Sequence, residues 1–211
     1  MNIINYIKLR NTPVMIHNGS IGVSLSGGAD SAILAYILMK HVATPIHFYT
    51  IATEEKNKRT ISYSSNVINK CIELTKKTNV YHHIKYEQYW NNQTYTNYLN
   101  SQIRLGIIDV VYSAITTIPP DEELAKFKNQ LKSDMYDTRK YGVTKPIVSR
   151  DGKWYFPFVN LNKKHIKDMY DEMSVLDTIF PLTMSCETFD FKHTHCENCW
   201  WCEERAWAFG Q

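Results

Sequence analysis

The chain has 211 residues, of which 44% are apolar and 21% charged, and its formal net charge is +3. That length suits one domain able to bury roughly 70% of the surface its unfolded form would expose. The composition, near that of soluble globular proteins, does not favour a disordered chain, and the longest apolar runs, such as Ile107 to Val111, are far too short to cross a bilayer. No block of Lys or Arg marks a nucleic-acid surface. The opening stretch Met1 to Arg10 has neither an apolar core of signal-peptide length nor a small-residue cleavage site, so the expected location is the cytoplasm.

The predicted elements alternate. Ser20 to Leu25, bounded by Asn18-Gly19 and Gly27-Gly28, reads as a buried strand. From Asp30 the apolar residues Ala32, Ile33, Ala35, Tyr36, Ile37 and Leu38 recur at helical spacing as far as Lys40. Pro45 to Ile51 reads as a second strand, Arg59 to Lys76 as a polar helix, and Asn79 to Tyr86 as a third strand. A helix around Tyr95 to Leu105 and a strand from Ile107 to Ile115 follow. Asp121 to about Tyr136 is expected to be helical, opened by Pro119-Pro120 and acidic residues. Lys153 to Phe158 reads as an aromatic strand, and Asn162 is placed to cap a helix from Lys163 to Met173. The tail from Pro181 to Gln211 shows no long periodic element. This alternation predicts an α/β fold with a parallel, Rossmann-like sheet and crossover helices, in which ligands bind at the carboxyl ends of the strands. The expected division is a main domain over 1–180 and a small cysteine-bearing subdomain over 181–211.

Ser26-Gly27-Gly28-Ala29-Asp30-Ser31 falls where the first of these strands passes into its helix. Backbone N–H groups and the helix dipole favour an anion at such a place. The paired glycines let the backbone close around phosphate oxygens. Ser26 and Ser31 add hydroxyl donors, and Asp30 is suited to hold Mg²⁺ against the phosphates or to orient them. A bare Gly-Gly turn capped by Ser and Asp is the alternative; the whole pattern in a strand–loop–helix context favours phosphate. No Gly-Lys-Ser or Gly-Lys-Thr follows, so this is not a Walker-type loop.

Four of the five cysteines, Cys186, Cys196, Cys199 and Cys202, cluster near the end of the chain. Such spacing reads as a closed tetrahedral metal site, structural because no position is left for water or substrate. Zinc is expected, with an iron–sulfur cluster as the alternative. His193 and His195 lie within the gap between the first two cysteines and read as loop residues, and Cys71 reads as a small buried apolar group. Trp200, Trp201 and Trp207 are expected to pack against the sheet domain.

The loop from Ser26 to Ser31 resembles that of the PP-loop ATP-pyrophosphatases, which cleave ATP between its α- and β-phosphates to adenylate an acceptor. Taken with Phe156-Pro157-Phe158, Asn162-Lys163, Thr183-Met184-Ser185-Cys186, and the run Cys196, Cys199, Cys202, Arg205 and Phe209, the chain is similar to the 7-cyano-7-deazaguanine synthases. The similarity is carried by the two ends and fades between about Thr50 and Arg150. It implies a ligase that converts 7-carboxy-7-deazaguanine and ammonia, with Mg-ATP, into the 7-cyano compound through an amide, releasing AMP and pyrophosphate. It further implies that Ser24, Leu25, Ser26, Gly27, Gly28, Ala29, Asp30 and Ser31 surround ATP. Asp30, Ser31 and Lys163 would serve catalysis, the four cysteines would hold zinc, and the protein would form a homodimer. A solvated first-turn lysine is the alternative for Lys163. Other readings change the acceptor to another carboxylate, an amide or a tRNA base, stop the reaction at the amide, or make the chain a nucleotide-binding module without turnover. Thiolation is disfavoured, because Cys71 is the sole cysteine outside the cluster.

Overall fold

The computed structural model describes residues 3–53, 57–89, 91–128, 139, 143–186 and 195–210. An antiparallel hairpin of β1 (Ile3–Lys8) and β2 (Pro13–His17) comes first. Then follow β3 (Ile21–Ser24), α1 (Ala29–His41), β4 (Ile46–Thr53), α2 (Asn57–Thr75), β5 (Val80–Glu87), α3 (Asn92–Arg104) and β6 (Val110–Tyr112). The rest comprises α4 (Asp121–Leu124), β7 (Ile147–Val148), β8 (Trp154–Phe156), α5 (Lys163–Glu172), α6 (Leu176–Ile179), a 3₁₀ turn (Phe180–Leu182) and α7 (Trp200–Phe209).

The main sheet runs in the order β5-β4-β3-β6-β8-β7, with every described pairing parallel except β7 against β8. The chain steps outward from β3 through β4 to β5, then returns to pair β6 on the other side of β3. The strand order therefore reverses between β3 and β6, and the turns that leave these two strands frame a crevice of the kind in which α/β sheets bind ligands.

The central strands are buried on both faces, as a parallel sheet requires: Ile21, Val23, Ile46 and Phe48 are inaccessible to solvent. Helix α1 is buried nearly all round rather than along one stripe, with Ala32, Ile33, Leu34, Ala35, Ile37 and Leu38 all enclosed. It lies between the sheet and the pair α2 and α5. On the other face, Tyr49, Leu99, Ile108 and Val111 form a second apolar cluster beneath α3, where the buried Tyr49 hydroxyl has no hydrogen-bond partner.

Three elements differ from the sequence expectations. The strand expected over 107–115 is paired only at Val110–Tyr112, because the Ile107 N–H closes the end of α3 on the Gln102 carbonyl. The helix expected from Asp121 turns off at Leu124, where Phe127 folds back toward Trp200 and Trp207; residues 129–138 of that expectation lie outside the described residues. The tail does contain a periodic element, α7, which packs on α5 and sinks Ala208 and Phe209 into the main core. Phe209 stacks on Phe180 at 4.0 Å. Cys71 is fully buried, as expected of a small apolar group, and burial pushes its thiol up to about 12.

The hairpin docks on the sheet through two phenols. The His17 N–H donates to the Tyr112 hydroxyl at 3.1 Å, that hydroxyl donates to the Met15 carbonyl at 2.9 Å, and the Met15 N–H donates to the Tyr155 hydroxyl at 3.2 Å. Burial raises the Tyr155 phenol to about 12, and burial likewise raises Tyr49, Tyr95, Tyr112 and Tyr170 above the ordinary 10.0. A phenol whose folded pKa is raised favours folding fully below its unfolded pKa and loses that contribution as pH climbs toward the folded value. Thermal stability is therefore expected to fall from about pH 10 upward. Tyrosinate absorbance from the buried phenols should appear only together with unfolding. A single wave of ionisation with the fold intact would contradict this.

Candidate functional site

The turn from β3 into α1 is shaped by Gly27, whose φ of +79° suits glycine alone. A Cβ there would stand 2.9 Å from the Tyr63 Cβ and 3.0 Å from the Ser64 backbone N of α2. Gly28 occupies the N-cap of α1 without a side-chain cap, so the first-turn N–H groups of a 13-residue helix are left facing the crevice. The Ser26 and Ser31 hydroxyls sit 3.2 Å apart, the Gly28 N–H donates to Ser26 Oγ, and Ser31 donates to the Gly28 carbonyl. These groups form an anion-binding cradle.

Two of the expected loop residues face inward. Leu25 is buried, with its N–H on the Tyr49 carbonyl and its own carbonyl taken by the Thr50 hydroxyl. Ser24 Oγ accepts the Tyr95 hydroxyl at 2.7 Å under α3. Ala29 presents its carbonyl to the Tyr170 hydroxyl at 2.7 Å, which anchors α1 to α5.

Asp30 is the chemical centre. Its Oδ2 pairs with the Lys163 ammonium and lies 3.5 Å from the Thr116 hydroxyl, whereas its buried Oδ1 has no hydrogen-bond partner. Lys163 is 8% exposed and opens α5 next to the cap Asn162, whose side chain accepts the Lys164 and His165 N–H groups. The structure thus brings Lys163 to Asp30 instead of leaving it in solvent. An orphaned carboxylate oxygen is costly to bury and marks where a cation or donor is wanted, so Asp30 fits a hard divalent ion such as Mg²⁺.

The cysteine centre adjoins this loop. The Sγ atoms of Cys186, Cys196, Cys199 and Cys202 all lie within 4.8 Å of one another, with 3.9 Å between Cys196 and Cys202 and 4.0 Å between Cys199 and Cys186. A tetrahedral ion with bonds of about 2.3 Å needs sulfurs about 3.8 Å apart. The four sulfurs therefore fit one ion, whereas a four-iron cluster, in which each thiolate binds a different iron, holds its sulfurs farther apart. Glu197 adopts φ +57° so that the chain turns between cysteines, and the Asn198 N–H points at Cys196 Sγ at 3.4 Å. Cys199 caps α7, where the helix dipole favours thiolates. His195 Nδ1 is 3.7 Å from Cys202 Sγ; His193 lies outside the described residues.

Loop and cysteine centre are joined by a backbone hydrogen bond. The Met184 N–H donates to the Gly27 carbonyl at 2.9 Å, only two residues before Cys186. Arg205 holds Thr183 and the Phe180 carbonyl while stacked 3.7 Å over the Phe180 ring, and burial lowers its pKa to about 10. It remains a cation at neutral pH. Arg59 reaches from α2 to the Cys186 carbonyl at 2.8 Å. Sequence reasoning singled out none of Arg59, Tyr95, Thr116, Arg139 and Glu204. Only the charged Glu204-Arg205 pair, set in the aromatic tail beside Cys202, carried a signal.

The sequence profile of the asparagine synthase family matches residues 14–92, the stretch that runs from β2 through the glycine loop to the start of α3. The fold itself is α/β with a mostly parallel sheet, and the matched stretch holds the glycine loop. Among solved structures, the chain is similar to an NH3-dependent NAD synthetase from Campylobacter jejuni at 13% identity and a TM-score of 0.41, over 77% of this chain and 67% of that one. It is also similar to a U34-tRNA thiolase from Methanococcus maripaludis, solved with its iron–sulfur cluster, at 14% identity and a TM-score of 0.42 over 75% of this chain. The chain spans 58% of the thiolase. No curated protein matches the sequence. Among the described residues, no helix is long and apolar enough to cross a membrane.

Gly27→Ala is expected to lower stability by at least about 1 kcal/mol through left-handed strain alone, with the contact against α2 adding to it. Nucleotide binding should fall further than stability, because the cradle is displaced; calorimetric titration beside thermal melting checks this. A variant with unchanged affinity would show that the loop does not close on phosphate.

Proposed function

We propose that this chain uses Mg-ATP to adenylate a carboxylate, releasing pyrophosphate, and that ammonia then displaces AMP. The observation that carries the reading is the buried, unpartnered Oδ1 of Asp30 beside Lys163, at the uncapped start of α1. A carboxylate is a poor electrophile at neutral pH, and joining it to AMP supplies a leaving group. The N–H groups at Gly28 and the first turn of α1, with the Ser26 and Ser31 hydroxyls, would hold the departing pyrophosphate. Lys163 and Mg²⁺ held at Asp30 would offset the charge that builds there.

For the acceptor we propose 7-carboxy-7-deazaguanine. Attack by ammonia on its acyl adenylate gives an amide and AMP. Adenylation of the amide oxygen by a second ATP, then loss of AMP with the two nitrogen-bound protons, gives the nitrile. The support is the resemblance carried by Thr183-Met184-Ser185-Cys186 and the cysteine tail, together with the hydrogen bond that seats this segment on the glycine loop. A second reading keeps adenylation and changes the acceptor, or stops at the amide. It draws on the end of β4, where Tyr49 to Thr53 are buried, the Thr50 hydroxyl is already spent on Leu25 and His82, and the free Tyr49 hydroxyl lies under α3 in the second apolar cluster.

The closed set of four thiolates is proposed to hold zinc in a structural role, with residues 181–211 as the unit it organises. A cytoplasmic homodimer is the working form.

Incubation with 7-carboxy-7-deazaguanine, ammonia and Mg-ATP is expected to yield AMP, pyrophosphate and the nitrile, with the amide rising early and then declining in mass spectra. ADP and phosphate as the main products would sink the adenylation reading. AMP formation indifferent to 7-carboxy-7-deazaguanine would sink only the acceptor. Elemental analysis should find close to one zinc per chain, and Cys199→Ser should lower solubility through loss of the folded tail. Iron with labile sulfide would replace zinc.

A further inference from the structure

Arg139 is 5% exposed and spends its guanidinium on two different elements. One side grips Glu204 of α7 through Nη1 at 3.2 Å and Nη2 at 2.5 Å, and Glu204 is itself fully buried. The other side donates from Nε to the Thr116 carbonyl at 2.9 Å, and from Nη2 to the Thr116 hydroxyl at 3.1 Å and the Thr117 carbonyl at 2.8 Å. The ring faces of Trp200 and Trp201, 5.2 and 5.6 Å away, keep the group in place.

The direction of these bonds matters. A guanidinium can only donate, so the Thr116 hydroxyl oxygen must act as acceptor toward Arg139. Its own proton is then left for Asp30 Oδ2, at 3.5 Å the acceptor it meets among the described residues. Lys163 approaches the same oxygen. Both donors lie on Oδ2, and Oδ1 stays buried and unpartnered. Thr116 sits in the segment after β6 and Asp30 in the first turn of α1, just beyond β3, so the chain of contacts crosses the point where the strand order reverses.

We propose that Arg139 is a positioning residue for the phosphate site: held by Glu204, it orients Thr116 so that the Asp30 carboxylate keeps Oδ1 turned toward Mg²⁺. This rests on the reading of Asp30 given above. Arg139 touches neither nucleotide nor metal and acts only through Thr116.

Binding of α,β-methylene-ATP, which cannot be cleaved between the first two phosphates, is measured calorimetrically across a series of Mg²⁺ concentrations. Arg139→Gln and Thr116→Val are each expected to raise the Mg²⁺ concentration for half-maximal binding roughly tenfold, the size of one charge-assisted hydrogen bond. Because both act along one chain, the combined variant should be no worse than the more affected single one. Arg139→Gln also strands the buried Glu204 carboxylate and lowers the melting temperature. Adding Glu204→Gln should restore the melting temperature without restoring the Mg²⁺ dependence, which a purely structural brace would not do. Should Arg139→Gln fail to fold, Thr116→Val alone decides. The proposal is overturned if Thr116→Val leaves the Mg²⁺ dependence unchanged, if charge balance at position 204 restores it, or if wild-type protein binds the analogue without regard to Mg²⁺. Production of ADP instead of AMP by wild-type protein would defeat the adenylation reading and leave the positioning role standing.

Discussion

Placing a carboxylate at the inner edge of a parallel sheet is the constraint on which much of this structure turns. A buried charge is tolerated only when it is paired and hydrogen-bonded. Asp30 meets that condition on one oxygen alone, with Lys163 from α5 and Thr116 from the turn after β6 converging on Oδ2. The elements that bring those partners must then be held. Asn162 fixes the first turn of α5 around Lys163, Tyr170 ties the same helix to α1, and Arg139 ties Thr116 to α7. The second oxygen stays unsatisfied, so stability is given up at the point where an ion is expected to bind.

The same logic explains why the cysteine centre lies against the glycine loop. A small tail cannot build a core large enough to stand alone, and a metal ion can substitute for one. Here the tail also borrows the main core, through Ala208 and Phe209, and in return supplies Glu204 and Arg205 to the site. Met184 meets Gly27 backbone to backbone, so a change in the position of Cys186 is felt at the glycine loop within two residues. Order in the tail and order in the cradle are therefore expected to rise and fall together.

The sheet face beneath α3 is of a different character. Tyr49 stacks on His83 at 4.7 Å, and His83 on His47 at 5.2 Å, in a row that runs along β4 and β5. Burial lowers the pKa of both imidazoles, so they pack here as neutral rings. Beside the row, α3 presents the Tyr95 hydroxyl to Ser24 just below the loop.

The sequence by itself determined the alternation of strand and helix, the place of the glycine loop at a strand's end, and the grouping of Cys186, Cys196, Cys199 and Cys202. Each is written in local pattern: apolar runs bounded by glycines, a conformation that only Gly27 adopts freely, and short gaps between thiols. Hairpin β1–β2 escaped notice because it is seated by the buried Ile7, Leu9 and Val14 and by the hydroxyls of Tyr112 and Tyr155, far along the chain. Helix α7 escaped because its residues are apolar and charged on all sides, Glu204 and Arg205 being buried with Trp200 and Phe209, so no stripe appears. For Lys163 the sequence left two environments open, and only the packing of α5 on α1 selected the buried one beside Asp30. Arg139 and Thr116 had no signal at all. Their meaning lies in contacts between residues 65 and 86 positions apart, which no local periodicity records and which tertiary structure alone can bring within hydrogen-bonding reach.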